Sequence, residues 1–495
     1  MDRRRFFEAG LGLGALTLAG AARADQETYR RFHAALLRDP ALAVYADTVG
    51  SQAGEAVITG RLPADLQGSF YRNGPGRFEL GGERYHHWFD GDGFAQRWTI
   101  SGGKVRHQGR FVETPRFVDE SKAGRFLYPA FGTDLMRRGL RDNDTMNAAN
   151  TNLLPYNDRV YALWEGGSAT EVDPETLATV GVKTWRDDLR ALPFSAHPKV
   201  DPQGMLWNFG TVPGMGRIVL YQIGADGTVL RTGLFKVSQQ AMVHDFVVSA
   251  KHLVFLIPPY DLKPGGKLSF AERHVWAGSG PDARPMRAIV VSKDTLTVRH
   301  VFELPPRMVF HFGNGWEDGA CTRFDAVLHE GSVLRDLSDV MAGERQAHSR
   351  SEAVQVCLDY ATGQARISRL FGGSEFPRVA PQVVGSRHRK LVLLGDGGRD
   401  TDPLLSSVNV VDTDSGNVDG YRFGDGWQVE EHVLVPRCNA RSETDGYLVG
   451  VAQDLRKGIG VMTVFDAAHV SAGPLALARL HYRTPHCFHG NFLSV

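Results

Sequence analysis

The chain reads as short apolar runs broken by turn residues. Arg159-Val160-Tyr161-Ala162-Leu163-Trp164 and residues 252–257, 390–394 and 447–452 are apolar or β-branched runs of strand length. Turn pairs such as Asn73-Gly74, Asp226-Gly227, Asp396-Gly397 and Asp445-Gly446 separate segments of this kind. Helical spacing is weak, apart from residues 26–38 and 334–341. One unit recurs: a strand closing on an apolar residue, a small polar turn, and a restart. The closing residues are Ile100, Val172, Ile223, Val291, Leu358, Val411 and Phe465, between about 51 and 72 residues apart. Seven units of that size predict an all-β fold, a seven-bladed β-propeller with a few helices and long loops capping one face. A double β-sandwich is the competing arrangement for so loose a pattern.

The repeat gives four histidines a common phase. His197, His244, His311 and His489 follow the closing residues at 172, 223, 291 and 465 by about 20 to 25 residues each. Equivalent offsets mean equivalent places in successive blades, and on an innermost strand such side chains converge on the propeller axis. The chain holds 18 histidines, and one taken alone is more often a surface or core residue than a ligand. Four in phase predict a metal site. Imidazole suits iron, zinc, copper and nickel alike, and four such ligands on an octahedral ion leave two positions open. Metal-bound imidazoles usually donate their second N–H to a carboxylate or carbonyl. Glu165, Glu375 and Glu431 stand in apolar or structured surroundings, and the last two lie near the histidine phase. Surface carboxylates at strand ends are the other reading of these three.

Composition narrows the class. Of 495 residues 42% are hydrophobic, ample for a large core, and 56 basic residues balance 56 acidic ones, which gives no basis for nucleic-acid binding. Residues 1–24 read as a cleavable signal peptide: Arg3-Arg4-Arg5-Phe6-Phe7, a short apolar run to Ala22, then Ala22-Arg23-Ala24. The paired arginines point to the twin-arginine route and a periplasmic destination, with an ordinary secretory signal or an uncleaved anchor as the alternative. The rest, residues 25–495, reads as one propeller domain. Cys321, Cys357, Cys438 and Cys487 form no C-x-x-C pair, so no zinc ribbon or dithiol site is indicated, and no disulfide is assigned from spacing.

Beyond these patterns, Phe70-Tyr71-Arg72-Asn73-Gly74-Pro75 followed by His87-Trp88-Phe89-Asp90-Gly91-Asp92-Gly93 resembles the N-terminal signature of the carotenoid cleavage oxygenases. Asn150-Thr151-Asn152, Leu163-Trp164-Glu165-Gly166-Gly167, Ala196-His197-Pro198-Lys199, Val243-His244-Asp245-Phe246, Phe310-His311-Phe312, Glu375-Phe376-Pro377 and Phe488-His489-Gly490 extend the likeness in order to the C-terminus. The resemblance implies a seven-bladed propeller with Fe(II) on four histidines, matched by His197, His244, His311 and His489, and backed by Glu165, Glu375 and Glu431. It implies oxidative cleavage by O2 of a double bond in an apolar conjugated molecule. His486 competes with His489 for the fourth place, and the Phe-His-Gly motif selects His489; Cys487 departs from the glycine usual there. Stilbenoid-cleaving members carry a lysine in the region that here reads Asp144-Thr145-Met146-Asn147-Ala148-Ala149, so a carotenoid or apocarotenoid is the expected substrate and a stilbenoid the alternative. A non-catalytic metal-binding propeller and a metallohydrolase are the other classes. The latter needs a water-activating base, and no such set is present. Asp90 and Asp92 read as a structural turn rather than a calcium loop, and residues 126–131 as either a membrane-facing entrance or a packed loop.

Overall fold

The structure is a computed structural model that describes residues 18–212, 215–237, 242–264, 268–331, 333–345, 349–397 and 404–495, with side chains from residue 26 onward. The proposed signal segment lies outside the described residues, except that its last few form the start of helix α1 (Leu18–Leu36). That helix begins earlier than the pattern at 26–38 predicts. The second expected helix is present as α4 (Val333–Asp339), prolonged by a tight turn over Val340–Ala342.

Seven antiparallel sheets follow one another around an axis. From the axis outward, blade 1 runs Asn152–Tyr156, Arg159–Leu163, Thr170–Val172, Thr179–Val182, and blade 2 runs Lys199–Val200, Leu206–Val212, Arg217–Ile223, Val229–Lys236. Blade 3 uses Val247–Val248, His252–Ile257, Met286–Ser292 and Val298–Leu304; blade 4 uses Met308–Asp318, Cys321–His329, Ser351–Asp359 and Gln364–Gly372. Blade 5 is Ser374–Arg378, Lys390–Gly395, Ser407–Asp412 and Val418–Arg422. The last two blades close the ring with the two chain ends. Blade 6 (Trp427–Pro436, Gly446–Asp454, Ile459–Asp466, Ala476–Arg479) takes Val57–Gly60 as its outer strand. In blade 7 the C-terminal His489–Ser494 is innermost, followed by Gly68–Arg77, Asp92–Ser101, Lys104–Phe111 and Gln52–Glu55. A double sandwich is thereby excluded.

The seven apolar residues that mark the repeat all lie near the end of the third strand of their blades, and all are buried. The polar turn that follows has a physical signature. Asp173, Asp359 and Asp412 each accept hydrogen bonds from the backbone N–H groups two and three residues on. The fifth residue of the turn is left-handed, glycine at Gly363 and Gly416 but leucine at Leu177 (φ 58°) and Leu296 (φ 54°). Between blades the sheets pack through alternating apolar faces, as where Trp207, Phe209 and Leu220 of blade 2 meet Phe246, Leu253 and Phe255 of blade 3.

One end of the propeller is capped. Helix α2 (Pro115–Ala123) starts on Thr114, whose hydroxyl accepts from Phe117 N–H, has Pro115 in its first turn, and stops at the left-handed Gly124. Its buried Arg116 pairs with Asp92 at 3.1 Å, and Glu120 accepts the N–H groups of Leu127 and Tyr128. Phe126, Leu127 and Tyr128 are accordingly buried, so the segment 126–131 begins as packed loop, while Pro129, Ala130 and Phe131 line a cavity beneath the cap. Helix α3 (Phe270–Arg273) and α4 complete the cover. Asp90 and Asp92 are held by N–H, hydroxyl and guanidinium donors: Gly132 N at 2.7 Å and Thr133 Oγ1 at 2.8 Å on Asp90, Arg77 Nε at 2.7 Å on Asp92. That is a structural turn, as the sequence predicts. The four cysteines are all unpaired.

Candidate metal centre

The inner strands are irregular where they approach the axis under the cap. A register slip between Val309 and Phe312 contains His311, and a second follows between Phe312 and Gly315. A slip between Glu375 and Arg378 coincides with Phe376 at φ 55°, and another between Val429 and His432 contains Glu430 and Glu431. Such bulges turn side chains out of the sheet's alternation and toward the axis. His197 and His244 stand just before the inner strands of blades 2 and 3, and His489 opens that of blade 7.

All four imidazoles meet. The ligand atoms of His197, His244, His311 and His489 lie within 4.8 Å of one another, and all four residues are buried. The Nε2 atoms of His197 and His244 are 2.9 Å apart, and those of His244 and His311 3.3 Å. The outer nitrogens are committed elsewhere. Nδ1 of His311 is 2.6 Å from Glu375, Nδ1 of His489 is 3.0 Å from Glu431, and Nδ1 of His244 contacts Glu165. With Nδ1–H donated to a carboxylate, Nε2 carries a lone pair, so three or more lone pairs face one another at close range. A cation between them resolves the repulsion, and this donor set fits a divalent transition metal. Burial, followed by the neighbouring imidazoles, holds His197 far below its ordinary pKa, and burial lowers His489 to about 4, which keeps both neutral as ligands must be. At His244 burial also opposes the proton, but contact with Glu165 outweighs it and the pKa rises. Against burial, Arg378 and His489 together bring Glu431 down to about 2, and His311 and His329 pull Glu375 down as well. Glu375 and Glu431 are thereby held as carboxylates and place negative charge behind the site.

His486 points elsewhere. It lies against Trp88, with ring centroids 4.7 Å apart, and faces Gln428 at 3.1 Å. The sequence motifs outside the histidines are clamps. Asn73 donates to the carbonyls of Ala149 and Asn152, tying blade 7 to blade 1, and Asn150 donates to Phe89 O and Gly91 O. Gly167 lets the Glu165 turn close on the cap, because a side chain there would meet Asp144 Oδ1 at 2.6 Å.

Sequence reasoning missed His329 and the buried pair Arg72–Glu430. His329 Nε2 is 2.6 Å from the second oxygen of Glu375, so this carboxylate is gripped from both sides. Replacing His329 by Leu leaves that oxygen without its donor, and apoprotein titration with Co(II) is expected to show affinity falling by about 10-fold or more. Nothing short of the tertiary structure links residues 329 and 375, and a lone histidine at a strand end carries no signal.

His244, His311 and His489 open onto a cavity of about 800 Å³. Phe89, Trp164, Phe310, Phe376 and Phe488 face it around the histidines, with Phe89 stacked over the His244 ring. In the 144–149 region the side chain reaching the cavity is Met146, not a cation.

A propeller with four axial histidines beneath an aromatic-lined cavity defines a metal-dependent oxygenase scaffold. Residues 46–494 match the family model of retinal pigment epithelial membrane protein, and the chain belongs to this family, the carotenoid cleavage oxygenases. Among its relatives is apocarotenoid-15,15'-oxygenase of Synechocystis sp., 29% identical over 465 residues, covering 88% of this chain and 92% of that protein. Lignostilbene-alpha,beta-dioxygenase isozyme III of Sphingomonas paucimobilis is 26% identical, covering 88% of this chain and 92% of its own length. A solved structure of a Synechocystis apocarotenoid oxygenase variant superposes with a TM-score of 0.85 at 25% identity, covering 92% of this chain and 99% of that one. The chain is thus a carotenoid oxygenase-type enzyme.

Proposed function

We propose that His197, His244, His311 and His489 hold Fe(II), and that the enzyme splits a C=C bond of a carotenoid or apocarotenoid with O2 into two carbonyl products. The observation that carries this reading is the convergence of four buried imidazoles, three of which, His244, His311 and His489, line a large aromatic cavity. His197, His244, His311 and His489 would hold ferrous iron, which would supply an oxygen-binding, redox-active centre there. Everything else falls to the chain. The aromatic wall takes up an extended apolar molecule, excludes water from the oxygen-binding side and holds one double bond beside the histidines. Met146, which lines the cavity, suits a hydrocarbon chain better than a phenolate. No side chain is needed as acid, base or nucleophile, because the balanced reaction adds both atoms of O2 and transfers no proton. With residues 1–24 removed on export, the reaction would take place in the periplasm.

The iron-reconstituted enzyme under air should convert β-apocarotenals to two shorter carbonyl products, identified by mass, with one O2 consumed per bond cleaved. Faster turnover of hydroxystilbenes would move the substrate to the stilbenoid class. Iron binding without O2 uptake on either substrate would reduce the protein to a metal-binding module.

A further inference from the structure

Three of the four imidazoles have a glutamate behind them; among the described residues His197 has none. What fixes His197 instead lies one step along the axis, in the residues next to the histidines. Lys199, two residues after His197, sends its ammonium to Asp245, 2.8 Å from Oδ1 and 3.0 Å from Oδ2. Asp245 directly follows His244, is buried, and accepts the N–H groups of Phe246 at 2.7 Å and Phe312 at 3.0 Å. Phe312 directly follows His311. One carboxylate therefore joins the segments bearing His197, His244 and His311, from blades 2, 3 and 4.

The same ring continues around the axis. His311 and Glu375 join blade 4 to blade 5 at 2.6 Å. Arg378 of blade 5 reaches Glu431 of blade 6 at 3.5 Å and Asn491 of blade 7 at 3.0 Å, and Gly490 N–H donates to Glu431 at 2.8 Å. Asn491 then donates to Asn152 Oδ1 of blade 1 at 3.1 Å, and Asn152 donates to the carbonyl of Ala196, the residue before His197, at 2.9 Å. The polar girdle thus closes through all seven blades.

We propose that Asp245 and Lys199 are positioning residues of the metal centre: their ion pair places His197, the imidazole with no carboxylate behind it, at ligand distance from the other three. The geometry rests on the metal reading above and assigns a role to neither residue in touching substrate or oxygen. Asp245 is buried with its acceptors satisfied while Lys199 is half-buried, and the pair spans the junction between the His197 and His244 segments beside Ser195, whose hydroxyl accepts the His197 N–H at 3.0 Å and donates to the His244 carbonyl at 3.5 Å. Partners bonded directly to a metal ligand typically change metal affinity by about 10- to 100-fold, and a pair that acts through the adjoining backbone is expected at the lower end, about 10-fold.

The test uses full-length apoprotein loaded with Co(II), whose visible spectrum reports ligand number and geometry, and follows metal loss to a chelator. Lys199→Met and Asp245→Asn are expected to release Co(II) at least about tenfold faster than wild type and to change its visible bands. Lys199→Arg, which restores the ion pair, is expected to recover most of both. Far-ultraviolet dichroism and thermal unfolding of each apoprotein check that the fold is kept; Lys199→Met serves where Asp245→Asn unfolds, because Asp245 keeps its two backbone donors. Wild-type release rates and spectra in folded Lys199→Met would overturn the proposal while leaving the four-histidine site intact. Failure of the wild type itself to bind Co(II) would sink the metal reading, and the proposal with it.

Discussion

His244→Ala is expected to leave a folded propeller that retains no stoichiometric iron and cleaves no substrate. Its Nε2 stands centrally, 2.9 Å from that of His197 and 3.3 Å from that of His311. Removing the ring opens the ligand set and leaves Glu165 as a carboxylate with no imidazole to orient. Outer partners of metal ligands are worth about 10- to 100-fold in affinity, so loss of a ligand itself should exceed about 100-fold. The fold should survive, because the site is held by the girdle around the axis and not by His244 alone; the thermal transition of the apoprotein should stay near that of wild-type apoprotein. Metal analysis after dialysis and an apocarotenal cleavage assay are the two measurements. Iron content and turnover near wild type in this variant would mean that the four imidazoles are not the metal centre.

Much of this was legible before any coordinates. The repeat was readable because a polar turn after the third strand imposes its own chemistry: aspartates at 173, 359 and 412 with a left-handed fifth residue recur in blades 1, 4 and 5, and the left-handed residue returns at Leu296 in blade 3. The histidines were readable through that repeat, since equal places in successive blades must converge on the axis. Three kinds of information were not local. The outer strands Gln52–Glu55 and Val57–Gly60 complete blades 7 and 6, a long-range pairing that no short pattern encodes. The double grip on Glu375 needs His329 from a neighbouring strand 46 positions away. The girdle uses Lys199, Asp245 and Asn491, which look like ordinary polar residues beside motif histidines until the axis brings them together. Near the N-terminus helical spacing marks only the part from residue 26, whereas the helix begins at Leu18.

Arg72→Met should be among the most damaging single substitutions outside the ligand set, at about 3–5 kcal/mol, because it strands a buried charge. Arg72 is fully buried, 3.1 Å from Glu430, and also donates to the carbonyls of Glu431 and Phe488, so it braces the backbone on both sides of the His489 pairing. Glu430 keeps only Gln453 Nε2 at 2.7 Å and the N–H of Cys487 at 3.0 Å once the guanidinium is gone. Burial already raises the Glu430 pKa and Arg72 opposes that rise, so the variant's carboxyl should move higher still. The sign of the pH dependence follows. A carboxyl whose folded pKa lies above its unfolded one favours the folded state at low pH and loses that contribution as pH rises through the folded value. The deficit of Arg72→Met should therefore be smaller at acidic pH and grow toward alkaline pH. Adding Glu430→Gln removes the stranded charge and keeps a side chain that Gln453 can meet, so the double variant should be more stable than Arg72→Met alone and lose that extra pH dependence. Urea unfolding of the metal-free proteins at two pH values reads both effects. A single variant as stable as wild type at every pH would show that the pair under His489 contributes no net stability.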